Sequence, residues 1–463
     1  MTVRIYDTLS EQKIELNPKR YTPNSLKMFV CGPTVYDYAH LGHARTEIAF
    51  DIIVRYLRDI DFNVFYLGNI TDVDDKIINR AADEKITPQQ LAKKFKKEYL
   101  QDMKTLRIVS IKRRVRASSF IKEIQQQIKK MLDAGLAYPT SSGIYFEVKK
   151  FADYGRLSKQ NLEELKPGWR IEPDPEKKDP IDFALWKFEK DEEKLGWDSP
   201  WGRGRPGWHI EDTAITEKLL GQQYDIHGGG MDLKFPHHES EIAQQESISG
   251  KAPFVKIWMH TGFLLVNGEK MAKSLGNFVT VRDFLRKHAV NALRFLAAAS
   301  HYRSPINYDD RLVEQAKNSL ATIEVFIDKL NLIKEKGELS EAVDQILKSS
   351  GKDFNESMND DFNTPEALAA IFRLINDYQE KIWQLNKKEA QFIKQFILDK
   401  MKIFGIVFKK LAIPQQIKVL VGKRESLRKA RKFNDADLLR DKIKTLGYSI
   451  EDTPVAPLIS KNI

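Results

Sequence analysis

Residues 28–70 constrain the fold most tightly. MFVCG (28–32) is a short apolar run that passes through a Gly-Pro turn. The segment TEIAFDIIVRYLRDI that follows sets Ile48, Ala49, Ile52, Ile53, Tyr56, Leu57 and Ile60 on one helical stripe. NVFYLGNI (63–70) then supplies aromatic and β-branched residues suited to a strand. Strand, turn, helix, strand at this spacing predicts a βαβ unit and a parallel sheet.

The rest of the chain divides by composition. Residues ~116–205 are rich in Lys, Glu, Asp and Pro, as in IEPDPEKKDP, and read as an insertion into the sheet domain. Apolar and Gly-rich segments resume with PGWHIEDTAI, YDIHGGGMDLKFPHHESEIAQ and WMHTGFLLVNGEKMAKSLGN. From ~312 the chain turns helical: Leu312, Val313, Ala316, Leu320, Ile323, Ile327, Leu330 and Ile333 recur at helical spacing. FNTPEALAAIFRLI opens another helix, with Thr364 as cap and Pro365 at its first position. The end is basic, with nine Lys/Arg against one Glu over 409–432. The net charge of +10 suits a polyanionic partner such as nucleic acid, or a solvated Lys-rich surface.

No apolar run approaches the ~20 residues that span a bilayer, and MTVRIYDTLSEQKIEL lacks the apolar core of a secretory signal. One cysteine in 463 residues cannot form an internal bridge, which fits a reducing cytoplasm.

The histidines are clustered. Of nine, seven fall in four short stretches: His40 and His43; His209; His227, His237 and His238; His260. HLGH stands between a strand and a strong helical stripe, where free backbone N–H groups favour a phosphate. Its two imidazoles share one face of the first turn, and Gly42 removes a Cβ between them. GEKMAKSLGN (268–277) carries Lys270 and Lys273 on a short loop, suited to a polyphosphate or to no more than an exposed turn. HGGGMD (227–232) is a glycine run ending in Asp232; it fits a backbone lying against a flat ring, or a plain turn. HGGGMD is not a GxGxxG dinucleotide fingerprint, and no Walker loop occurs.

Together these segments resemble class I aminoacyl-tRNA synthetases, HLGH standing for their HIGH box and KMAKS for their KMSKS loop. MFVCGPTVYDYAHLGHAR, NITDVDDKII, DFALWK, WDSPWGRGRPGWHIE, DIHGGGMDLKFPHHE, WMHTGFL, FNTPEAL and RKARKFNDADLLRDKIKTLGYSIEDTP narrow the likeness to the cysteinyl-tRNA synthetases over nearly the whole chain.

The resemblance implies an α/β fold. A Rossmann-like parallel-sheet catalytic domain (1–115 and 206–270) carries a connective insertion (116–205). A stem-contact region with the KMAKS loop (271–311), an α-helical bundle (312–408) and a small C-terminal anticodon-binding module (409–463) follow. It implies ATP-dependent ligation of L-cysteine to tRNA(Cys) through cysteinyl-adenylate, by a cytoplasmic monomer that engages no membrane.

It also implies site residues. His40, His43, Lys270 and Lys273 act on the phosphates of ATP, which arrives with Mg²⁺. Gly229 and Asp232 meet the adenosine. Thr71 and Trp208 line the amino-acid pocket, though Trp208 reads equally as core. Arg428, Phe433, Asp437 and Asp452 meet the anticodon. The family's Zn²⁺, which grips the substrate sulfur, is held by two cysteines, a histidine and a glutamate. Cys31, His237 and Glu241 match three of these, and His237 and Glu241 are one helical turn apart.

The fourth position departs from the pattern: GWHIEC is here GWHIED, so Asp212 replaces a cysteine. Either Asp212 ligates, conserving the ligand charge, or it turns away and the site weakens. Ala272 replaces the middle serine of the lysine loop, and the tryptophan usual after the DTP-like stretch is missing from PVAPLISKNI. Two other activities stay open: a cysteine-activating ligase with a sugar-amine acceptor, and an RNA-binding protein that has lost catalysis.

Overall fold

The computed structural model describes residues 2–21, 25–160, 174–191, 194–271, 276–409 and 412–461. Ala272 and Lys273 lie outside them. The chain separates into two compact units: residues 1–290, 300–309 and 358–364, and residues 291–299, 310–357 and 365–463.

The first unit is built on a five-stranded sheet. Its strands are β1 (Leu26–Val30), β2 (Val64–Ile70), β3 (Arg113–Arg116), β4 (Tyr224–Gly230) and β5 (Val255–Thr261), in the order β5–β4–β1–β2–β3. All four pairings are parallel. A helix, α1 (Leu41–Asp59), connects β1 to β2 and buries Ile48, Ala49, Ile52, Ile53, Tyr56 and Leu57, the stripe read from the sequence. The inner strands are buried along almost their whole length, because a parallel sheet is covered on both faces. The strand order reverses between β1 and β4. In open α/β sheets the crevice at the carboxyl ends of two such strands is where ligands bind.

The described residues between β3 and Trp208 are more ordered than their charged composition suggests. They fold a helix, Ile121–Asp133, and a four-stranded antiparallel sheet of Ala137–Pro139, Gly143–Phe146, Phe183–Phe188 and Gly204–Pro206. A core including Ile124, Ile128, Phe146, Leu185 and Trp186, shared with Ile210, Ala214 and Ala243 of the sheet domain, holds them together. Two helices, α2 (Trp208–Leu220) and α3 (Glu239–Ser249), then flank β4 in the chain.

The second unit is helical. Its helix Asp310–Leu332 buries Val313, Ala316, Leu320, Ile323, Ile327 and Leu330 on one face and packs against helix Lys387–Ile403. At its C-terminal end, helices Gln415–Lys429 and Phe433–Thr445 and a hairpin, Tyr448–Glu451 with Leu458–Lys461, close over Ile417, Val421, Ile443 and Ile450. Among the described residues no helix is long and apolar enough to cross a membrane.

Candidate active site and metal centre

Both clusters of chemistry lie where β1 and β4 part. Cys31 follows β1 directly, and its backbone N–H donates to Gly228 O of β4 at 3.0 Å. Asp212 stands in the second turn of α2, His237 in the bend before α3, and Glu241 in the first turn of α3. Ligand atoms of Cys31, Asp212, His237 and Glu241 all lie within 4.8 Å of one another. Cys31 Sγ is 3.3 Å from Asp212 Oδ2. His237 Nε2 is 3.1 Å from both Asp212 Oδ2 and Glu241 Oε1. Four tetrahedral ligands of one zinc ion sit ~3.4–3.6 Å apart, so little movement separates this cluster from a coordinated one.

Asp212 therefore turns inward. Asn69, on β2, fixes it: Asn69 Nδ2 donates to Asp212 Oδ1, while Asn69 Oδ1 accepts from Gly32 N. His237 is fixed too. Its Nδ1 meets His209 Nδ1 at 2.9 Å, and Trp208 stacks on its ring with centroids 4.2 Å apart.

The cluster lacks positive charge of its own. Burial, then Asp212 and Glu241, pushes the Cys31 thiol well above its ordinary value. Burial, then Asp212, holds the Glu241 carboxyl well above the usual carboxylate range. Glu241 is fully buried, and neither of its oxygens has a hydrogen-bond partner. An unsatisfied buried carboxylate costs several kcal/mol, on the order of a full desolvation penalty, unless a cation or donor meets it. A divalent cation fits this donor set in charge, in ligand type and in spacing.

The second cluster opens α1. His40 is its N-cap, and His40 Nδ1 accepts from Gly42 N at 3.0 Å and from His43 N at 3.3 Å. His43 Nδ1 in turn accepts from His40 N at 3.3 Å, and the two rings stack 3.7 Å apart. This is a capping box made from two imidazoles. It also decides their protonation. A backbone N–H only donates, so both Nδ1 atoms must be bare and both protons must sit on Nε2. Burial, then His40 and Lys76, pushes His43 well below its ordinary value, so that ring is neutral. The helix N-terminus thus presents two fixed Nε2–H donors. Gly42 has a structural reason beyond ligand access: a Cβ there would lie 2.8 Å from His40 Cε1, inside the cap.

The described residues on either side of the lysine loop come to the same place. Leu41 N donates to Val279 O and Val281 N to Ala39 O, so the segment just after the loop pairs with HLGH. Phe278 meets the His40 ring edge-on at 5.3 Å, and Lys270 lies over Phe263. A cavity of about 600 Å³ opens beside the metal cluster, lined by Thr34, Trp208, His209, Asp232 and Lys270 among others. Trp208 is 39 % exposed, which makes it a wall of this cavity rather than core. Thr71 is buried and donates to Glu211 Oε2. Gly229 answers to packing as well: a Cβ there would lie 2.8 Å from His238 Cε1.

Residues 18–318 match the tRNA synthetases class I (C) catalytic domain, and residues 353–409 match the DALR domain. The chain is 45 % identical to a cysteine–tRNA ligase of Thermococcus gammatolerans, covering 98 % of each chain. It is 44 % identical to one of Methanococcus maripaludis strain C7, over 100 % of this chain and 99 % of the relative. The chain belongs to the cysteine–tRNA ligase family.

More distant structures share the fold of this cysteine–tRNA ligase family member. A Mycobacterium tuberculosis methionyl-tRNA synthetase in complex with methionyl-adenylate superposes with TM-score 0.60 at 15 % identity, over 82 % of this chain and 89 % of that one. An Agrobacterium radiobacter K84 LeuRS in a ternary complex gives 0.62 at 11 %, over 82 % and 83 %.

Sequence reasoning passed over Asn69, His209 and Glu211. All three sit inside segments that carry the resemblance, yet their roles depend on tertiary contacts, Asn69's on the pairing of β1 with β2. In the second unit, Phe433 is 54 % exposed at a helix start and Asp437 is exposed. Asp452 is engaged: Arg424 reaches its two oxygens at 2.7 and 2.9 Å, and Arg428 lies 3.4 Å away.

Proposed function

We propose that this protein joins L-cysteine to tRNA(Cys) in two ATP-dependent steps. The observation that carries the reading is the convergence of Cys31, Asp212, His237 and Glu241 on one point, with neither oxygen of Glu241 hydrogen-bonded. These four would hold a zinc ion, which when bound supplies a soft Lewis-acidic partner for the substrate's thiol. Serine differs from cysteine by one atom, and a pocket relying on shape separates near-isosteres by only ~10–200-fold.

In the first step the cysteine carboxylate attacks the α-phosphorus of ATP, releasing pyrophosphate. The carboxylate is already ionised, so the protein contributes position and charge stabilisation rather than a nucleophile. His40 and His43 donate from Nε2 to phosphate oxygens. Lys270 and Lys273 neutralise the polyphosphate, with Mg²⁺ accompanying ATP. Gly229 and Asp232 contact the adenosine, while Trp208 and Thr71 border the amino acid. In the second step a ribose hydroxyl of the tRNA terminus attacks the mixed anhydride and AMP leaves.

The remaining assignments belong to the same proposal. The catalytic domain comprises 1–115 and 206–270, with 116–205 inserted, 271–311 contacting the stem and 312–408 forming the bundle. Residues 409–463 read the anticodon through Arg428, Phe433 and Asp437. The protein works as a cytoplasmic monomer. A near full-length match to cysteine–tRNA ligases, helical and basic parts included, favours this over a ligase with a sugar-amine acceptor.

Purified protein should carry one zinc per chain, catalyse cysteine-dependent ATP–pyrophosphate exchange and charge tRNA(Cys). Exchange without charging would point to another acceptor. Absence of both would overturn the reading.

A further inference from the structure

Cys31 Sγ faces more than the proposed quartet. His227 Nε2 and His238 Nε2 each lie 3.2 Å from it. Ligand atoms of Cys31, His227, His238 and Glu241 also all fall within 4.8 Å of one another. We propose that these four form a second seat for the same divalent cation, behind the first and sharing Cys31 and Glu241 with it. The proposal rests on the metal reading above and adds to it a place where the ion stays bound away from the substrate.

Three observations carry it. The first is the arrangement of protons. If His227 and His238 bind a cation through Nε2, each must carry its proton on Nδ1 and give it to an acceptor. His227 Nδ1 is 2.6 Å from Tyr224 Oη, and His238 Nδ1 is 2.8 Å from His260 Nε2. His260 Nδ1 is then 2.9 Å from Thr8 Oγ1, so the chain of donors ends on a hydroxyl. Each proton has somewhere to go, and both Nε2 lone pairs are left aimed at the sulfur's surroundings.

The second is charge. The quartet with Asp212 offers three anions and one neutral imidazole, leaving −1 around a dication. The set with His227 and His238 offers two anions and two neutral rings, which balance a dication. All three of its residues other than Cys31 are fully buried, where net charge is costly.

The third is access. Trp208, stacked on His237, is a wall of the 600 Å³ cavity. His227 instead stacks on Trp258, 4.4 Å between centroids, and His238 packs against the same indole, which is 1 % exposed. An ion held by the inner set is on the sheet side of Cys31, away from the cavity. The replacement of the family's second cysteine by Asp212 makes this relevant, because the outer set has lost its second thiolate while the inner set keeps a Cys-His-His-Glu composition suited to zinc.

The test is metal content, read independently of activity. Wild type, Asp212→Ala, Asp212→Ala with His227→Gln, and Asp212→Ala with His238→Gln are purified, dialysed against metal-free buffer and assayed for zinc. Each is then loaded with Co²⁺ and its thiolate-to-cobalt absorption recorded. Asp212→Ala should keep close to one zinc per chain and the thiolate band, yet lose cysteine-dependent exchange. Each double variant should lose both metal and band. Asp212→Asn, which keeps the side chain's shape, is read in the same way should the alanine variant not fold. Wild type with zinc beside an Asp212 variant without it overturns the second seat and leaves the first standing. Zinc retained by the double variants overturns it as well. Wild type without zinc overturns both.

Discussion

Asn69 holds Asp212 by the oxygen that faces away from Cys31. Its Nδ2 donates to Asp212 Oδ1, leaving Oδ2 aimed at Cys31 Sγ and His237 Nε2. The same carboxamide anchors Gly32 through Oδ1, so one side chain sets both the turn after β1 and the orientation of the carboxylate. Removing such an outer partner typically loosens a metal site by ~10–100-fold. Asn69→Ala is expected to weaken zinc by that order in competition with a chromophoric chelator. Asn69→Asp places two carboxylates together and should do worse. Zinc affinity unchanged in both would show that Asp212 needs no such support.

Asp212 stands where the resemblance implies a cysteine. A carboxylate preserves the ligand charge but is a harder donor than a thiolate. A harder set should grip a substrate thiol less selectively over a hydroxyl. Asp212→Cys is therefore expected to bind zinc more tightly and to raise the ratio of cysteine to serine activation a few-fold, measured as kcat/KM in pyrophosphate exchange. An unchanged ratio would mean that the fourth ligand does not govern selectivity.

How much of this was legible in the sequence depended on distance along the chain. His237 and Glu241 are one helical turn apart, so their partnership could be read directly. The βαβ unit likewise followed from local periodicity, and α1 buried the stripe it displayed. What could not be read was contact made by strand pairing. Cys31 meets His227 and His238 across 196 and 207 positions, because β4 lies beside β1 in register. Asn69 meets Asp212 across 143. The sheet of the insertion was hidden for another reason: its strands run three to six residues between long charged loops, too short for period-two alternation to emerge. HLGH was legible as the start of a helix, but not that its two imidazoles cap each other's helix turn.

That mutual cap separates two roles of His40. Losing an N-cap side chain costs ~0.5–2 kcal/mol, and asparagine is among the best replacements. His40→Ala should lower stability by about that amount in urea or thermal unfolding, whereas His40→Asn should recover most of it. Neither variant retains the Nε2–H donor. Both are expected to lose ~10²–10³ in the rate of pyrophosphate exchange, as expected for removing one donor to a developing charge. A variant stable as wild type with exchange also restored would reduce His40 to a structural cap.

The C-terminal hairpin carries an acid-sensitive tie. Arg424, whose side chain is fully buried, donates to both oxygens of Asp452. That hydrogen-bonded pair, with Arg428 and Arg440 adding to it against a smaller opposing effect of burial, holds the Asp452 carboxyl below the usual carboxylate range. A carboxylate whose folded value lies below its unfolded one stabilises the fold above the unfolded value, about 3.9, and loses that contribution as pH falls through the folded value. The hairpin Tyr448–Glu451 with Leu458–Lys461 should therefore loosen as pH drops below about 4. Amide hydrogen exchange of these strands in a pH series would report it. Asp452→Asn should weaken the hairpin at neutral pH and remove the acid dependence. Phe433→Ala, at an exposed position free of this pair, should leave hairpin protection unchanged while raising the KM for tRNA. If Asp452→Asn instead changed tRNA affinity with hairpin protection intact, Asp452 would be facing RNA and not Arg424.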